Sequence, residues 1–195
     1  MSRFRYLALV LLVLAGCTPS DNASNSEDFT NVNARFQGNV SEIYGLVVSP
    51  SGPWSGIDVQ WKDSTGVQRS LSGYYGKPIL LSFWRSIPDT AAWQLPTLDS
   101  VQAIFGDSVR IVSIADPNLT NSYAGILNYI TTKKIRQQII VDSLERAHIQ
   151  YAQTADGRIG WPETFVIKPS GRVMTYLEGY ASITLLDSLV RAAYR

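Results

Sequence analysis

The chain has 195 residues, 45% of them hydrophobic and 17% charged, which suits one globular domain carrying a leader and a tether. Its formal net charge is +1, and loss of Arg3 and Arg5 with a leader takes this to −1. A near-neutral domain offers no electrostatic footprint for nucleic acid. A single cysteine, Cys17, excludes an internal disulfide or a Cys-x-x-Cys couple.

Arg3 and Arg5 precede an apolar run at residues 6–14 that is short for a bilayer span. The run ends in Leu14-Ala15-Gly16-Cys17, which looks like a bacterial lipobox. Residues 1–16 are therefore expected to be a signal peptide and Cys17 the lipidated residue. The alternative is an ordinary secretory signal that happens to contain a cysteine. With Cys17 held as a lipid thioether, the mature chain keeps no thiol. Residues 17–35 are polar and aperiodic, a flexible tether reaching about 20 Å, and residues 36–195 form the domain. The lipid implies the cell envelope, facing the periplasm. Thr18, where inner-membrane retention in some bacteria uses aspartate, favours the outer membrane.

Within the domain, residues 43–48 read as a strand paired with 57–62 across the turn cluster Ser49-Pro50-Ser51-Gly52-Pro53. Residues 78–84 are an apolar run of the buried-strand kind. Residues 90–105 have helical spacing, with Leu95, Leu98, Val101, Ile104 and Phe105 on one face. A strand is expected at 109–115, a helix at 122–134, a strand at 138–142, and a short helix at 144–150 before a polar connector at 154–157. Residues 163–168 and 173–177 flank Pro169-Ser170-Gly171 as a hairpin. Residues 182–194 close the chain as an amphipathic helix. Strands alternating with helices, then a hairpin and a helix, imply an α/β fold with a mixed central sheet and helices on both faces.

The order of these elements and their residues resembles the thioredoxin-like family of membrane-tethered thiol-disulfide oxidoreductases, the TlpA/ResA type, from about Ile57 onward. The matching pieces are Gly76-Lys77-Pro78, Phe83-Trp84, Leu95-Pro96, Trp161-Pro162-Glu163-Thr164-Phe165-Val166-Ile167 and Gly171. The resemblance implies a thioredoxin-like fold and a cis peptide at Trp161-Pro162, with the Trp161 backbone beside the start of the first helix. There the family pairs with an extended substrate segment. It also implies a dithiol after Phe-Trp, and here the chain departs: an ungapped alignment puts the two cysteine positions on Pro88 and Ala91. The glutamate common before Leu-Pro is Gln94.

Ser86-Ile87-Pro88-Asp89 reads as a helix-start sequence, and Asp89 places a fixed carboxylate at its positive end, worth about 0.3–1 kcal/mol if exposed. Relatives generate an anion there chemically; the simpler reading is a well-capped helix. Trp161, with Trp93, forms either an aromatic rim to the groove or ordinary packing. His148, the only histidine, is expected on an exposed or half-buried helix face. No ligand set at metal spacing accompanies it, and no metal or other cofactor is expected. Lys133, Lys134 and Arg136 read as a solvated helix end. The leading expectation is a non-catalytic envelope lipoprotein that holds a peptide or protein partner in the groove at Trp161, Pro162, Trp93 and Asp89. The alternatives are an oxidoreductase or redox accessory acting through a partner's cysteines, and a structural envelope component with no working groove.

Overall fold

The computed structural model describes residues 40–48 by their backbone, and 57–63, 65–86, 92–117, 123–142, 144, 146–155 and 160–195. Its strands are β1 (Val40–Val48), β2 (Ile57–Lys62), β3 (Gln68–Ser70), β4 (Ile79–Trp84), β5 (Arg110–Ala115), β6 (Gln138–Val141), β7 (Glu163–Ile167) and β8 (Val173–Glu178). The helices are α1 (Gln94–Phe105), α2 (Tyr123–Lys133), α3 (Arg146–Ala155) and α4 (Ile183–Ala193). Together the strands form one mixed sheet in the order β3-β2-β1-β6-β5-β4-β7-β8. Neighbours from β1 to β4 are parallel, and the four pairings beyond that stretch are antiparallel.

The run 79–84 becomes β4 because both faces of a central strand are covered. All six of its residues are buried, between β5 on one side and β7 on the other. β2 lies toward the edge, and there the pattern alternates: Ile57, Val59 and Trp61 are buried and their neighbours less so. Strand alternation then divides the interior in two. Leu80 and Trp84 face α1, α2 and α4, packing with Leu95, Leu98, Ile126, Ile130, Leu186 and Val190. Ile79, Leu81 and Phe83 face α3 and the β2 side, packing with Trp61, Tyr151 and Phe165.

One row of polar side chains inside the sheet is hydrogen-bonded. Ser82 lies opposite Ser113 and Thr164, and Thr164 Oγ1 donates to Ser82 Oγ at 3.2 Å. Gln137 joins this row to a helix, accepting from Ser113 Oγ at 2.5 Å and donating to the Leu95 carbonyl at 2.9 Å. At α4, Ser182 caps the helix by accepting from the Leu185 amide at 3.3 Å. One glycine is sterically required: Gly171 has φ +85°, and a Cβ there would sit 2.5 Å from the Tyr75 ring.

Several sequence expectations shift. Ile104 is 56% exposed: nine residues on from Leu95 at 3.6 per turn, it lies on the opposite side of α1. α3 runs to Ala155, so the expected connector at 154–157 begins inside the helix. β3 was not anticipated from Gln-Arg-Ser, which carries no apolar pattern; β2 recruits it by antiparallel pairing. His148 is not on an exposed face but 1% exposed in the interior.

Candidate functional site

Parallel pairing of β4 with β5 sets Trp84 beside Ala115, so the residues that leave the two strands, Arg85 and Asp116, emerge side by side. β7 runs antiparallel to β4 with Glu163 opposite Phe83, which brings Trp161 and Pro162 to the same edge. The Trp161–Pro162 peptide is cis, and the Pro162 carbonyl accepts from the Gly179 amide at 2.7 Å.

Arg85 reaches back over this edge. Its Nε and Nη2 donate to Asp116 Oδ2 at 2.9 and 2.5 Å, and Asp116 is 1% exposed. The guanidinium carbon stands 4.0 Å from the centroid of the Trp161 ring, a cation–π stack. Beneath the half-buried Trp161 lies His148, edge-on to it at 4.3 Å and stacked on Phe83 at 4.4 Å and 9°. Strand alternation points Glu163 to the same side as Phe165, toward α3, and Glu163 Oε2 meets His148 Nε2 at 2.5 Å. The contact is a hydrogen bond whose donor depends on the imidazole tautomer. Both are about 1% exposed, so neither offers an acid or base to a solvent-borne substrate. His148 Nδ1 is buried with no hydrogen-bond partner among the described residues.

Asp142 helps to place His148. Its Oδ2 accepts from the Ala147 amide at 2.6 Å, fixing the first turn of α3. Burial pushes the Asp142 carboxyl above the ordinary range, and backbone N–H groups, Ala147's first among them, oppose the shift. On the other side of the edge, Gln94 pairs with Ala181 through both amide atoms. Nε2 donates to the Ala181 carbonyl at 3.2 Å, and Oε1 accepts from the Ala181 amide at 2.6 Å. An ionised glutamate could make only the second bond. Gln94 therefore holds the start of α4 against α1.

Of the sequence-derived site residues, Trp161 and Pro162 stand together at this edge. Trp93 is the N-cap of α1 and is 53% exposed; Tyr180, 58% exposed, accepts at its hydroxyl from Thr97 Oγ1 at 3.3 Å. No ring contact joins Trp93 to Trp161 among the described residues. Pro88, Asp89 and Ala91 lie outside the described residues, as does Cys17. The sequence reading gave no site role to Arg85, Asp116 or Glu163, and set His148 on an exposed or half-buried helix face. Glu163 was the legible one, since an acid opening an otherwise apolar strand needs a buried partner.

No family model and no curated protein matches the sequence. Solved structures do. A thiol:disulfide interchange protein of the thioredoxin family from Chlorobium tepidum is 25% identical with a TM-score of 0.59, covering 74% of this chain and 99% of its own. The pneumococcal exposed lipoprotein thioredoxin Etrx1 from Streptococcus pneumoniae is 20% identical with a TM-score of 0.57, covering 69% and 98%. StoA from Bacillus subtilis is 21% identical with a TM-score of 0.54, covering 64% and 90%. The chain has the thioredoxin-like fold, and its structural neighbours are thioredoxin-like thiol:disulfide oxidoreductases.

Proposed function

We propose that this chain is a lipid-anchored envelope protein whose thioredoxin-like domain, without a thiol of its own, binds an extended peptide or protein segment beside Trp161 and Pro162. The observation that carries this reading is a retained loop beside a missing dithiol. The cis Trp161–Pro162 bond sits at the head of β7, while residues 18–195 contain no cysteine. Among the described residues no hydrogen bond takes up the Trp161 backbone N–H or carbonyl, the two groups that strand addition uses. Exposed rings at Trp93 and Tyr180 supply apolar surface, while the carboxylate expected at Asp89 lies outside the described residues. The anchor is Cys17, and Thr18 after it favours the outer membrane; one structural neighbour is itself named an exposed lipoprotein.

Photo-crosslinking in intact cells tests the groove, with the probe at position 161 and a control at Ser188 on α4. A discrete adduct from position 161 alone is expected. Its absence would leave a structural envelope component as the better reading. The names of the neighbours favour a second reading, a redox accessory that works with a partner's cysteines. In that case the adduct partner carries a dithiol, while the purified chain alone gives no thiol–disulfide turnover. For the anchor, Cys17→Ser is expected to release the chain from the membrane fraction and remove the lipid mass from its N-terminal peptide.

A further inference from the structure

On the face of the domain formed by α1 and α2, away from Trp161, lies a cavity of about 550 Å³. Its size falls within the range of about 300–1,000 Å³ common for small-ligand sites. One wall is the outer side of α1, with Pro96, Asp99, Ser100 and Ala103. The other is the end of α2 and the turn after it, with Lys133, Lys134 and Arg136.

The three cations are exposed, and among the described residues none has a carboxylate within ion-pair distance; Lys133 Nζ lies 5.6 Å from the Tyr129 ring. The single acid in the wall, Asp99, is already engaged. Its two carboxylate oxygens accept from the backbone amides of Arg136 and Gln137 at 3.0 and 3.1 Å. The turn that carries the cations is fixed at several points. Ile135 is buried and its amide donates to the Ile130 carbonyl at 3.0 Å, Gln137 is bonded to Leu95 and Ser113, and Lys134 holds φ +53°. Cations at a helix C-terminus complement its dipole, which accounts for Lys133 and Lys134 singly. Arg136, beyond the helix, acts electrostatically on Asp99, which still leaves three positive charges against one carboxylate at the cavity walls.

We propose that this cavity binds a phosphate-bearing ligand, with Lys133 and Lys134 as point charges and Arg136 offering the planar fork that matches phosphate oxygens. Ser100 Oγ, now donating to the Pro96 carbonyl at 3.0 Å, is a hydroxyl on the facing wall that can turn toward such a group. The phosphate belongs either to a soluble compound or to a lipid headgroup. The inference does not depend on the groove at Trp161.

The test is lysine acylation footprinting of the full chain with neutral phosphatidylcholine vesicles, adding either inorganic pyrophosphate or vesicles containing phosphatidylglycerol. For a dissociation constant of about 1 mM, ligand at tenfold excess slows acylation at Lys133 and Lys134 about tenfold, while Lys62, Lys77 and Lys168 keep their rates. Protection by pyrophosphate assigns a soluble phosphate source, and protection by the phosphatidylglycerol vesicles alone assigns a headgroup. Arg136→Glu, checked for an unchanged thermal melt, is expected to reduce protection at both lysines. Uniform slowing at all lysines, no protection by either addition, or full protection in a folded Arg136→Glu chain would overturn the proposal.

Discussion

The two sides of the sheet bury their interiors by different means. Against α1, α2 and α4 the core is largely aliphatic, and its buried polar seams are neutral: Gln94 with Ala181, Gln137 with Leu95 and Ser113, Thr164 with Ser82. Against α3 the core is ring on ring. Phe83 meets His148, Tyr151 and Phe165 within 5.8 Å, and an ionisable pair, His148 with Glu163, is sealed among them. Aliphatic side chains can shift to cover a lost neighbour. Stacked rings are stiff, and a buried acid has one acceptable partner. The α3 side, which lies under Trp161, is therefore the less forgiving of the two.

The largest expected effect breaks that contrast directly. Phe83→Ala removes the ring that three others touch and should cost about 4 kcal/mol, against about 3 kcal/mol for Leu98→Ala on the aliphatic side, compared by urea unfolding. If Leu98→Ala cost the more, the contrast would fail. Next, Glu163→Ala leaves His148 Nε2 buried without its partner and should cost about 3 kcal/mol. Glu163→Gln keeps the size and an acceptor oxygen, and should recover all but about 1 kcal/mol of it.

On the aliphatic side, Gln94→Glu sharpens the claim that the seams must be neutral. An ionised carboxylate facing the Ala181 carbonyl should cost about 2 kcal/mol at pH 7. Only the protonated acid can donate to that carbonyl, so folding raises the new residue's pKa. The variant should approach wild-type stability in acid and lose it as pH rises through that value. The smallest effect lies outside both cores, in the turn between β2 and β3. Asp63 Oδ1 accepts from Thr65 Oγ1 at 2.6 Å and from the Thr65 and Val67 amides at 2.9 and 3.0 Å. Asp63 Oδ2 accepts from Arg69 Nε at 2.8 Å. These bonds, Thr65's hydroxyl first, hold its carboxyl well below the usual range. The stability this gives is present above about pH 4 and is lost as pH falls through the lowered value. Asp63→Asn should remove that contribution, lowering neutral stability slightly while leaving stability in strong acid nearly unchanged, and so flatten the acid limb of the curve.

The strands and helices were legible where burial imposes a period. β4, β7 and α4 fall close to where apolar spacing put them, and the mixed sheet with helices on both faces followed from their order. At the candidate site only part could be read. Trp161 and Pro162 were found through a motif that is contiguous in the chain. Arg85 and Asp116 are 31 residues apart and meet because two parallel strands end together, which no local pattern records. His148 was misplaced for a related reason. As the only histidine on a short polar helix it looked like a surface residue, and its burial depends on an acid 15 positions away on β7.

By itself, the sequence determined the element order apart from β3, the α/β class, the Trp161-Pro162 motif and the absence of any cysteine after Cys17. These are properties of neighbours along the chain or of plain composition. The tertiary structure alone decided that α3 carries His148 under Trp161, that Gln94 clasps Ala181, and that Lys133, Lys134 and Arg136 border a cavity with Asp99 already engaged. Each of these joins residues from separate elements. Strand register and helix packing bring such residues together, and both are set by how whole faces bury, not by any one residue's preference.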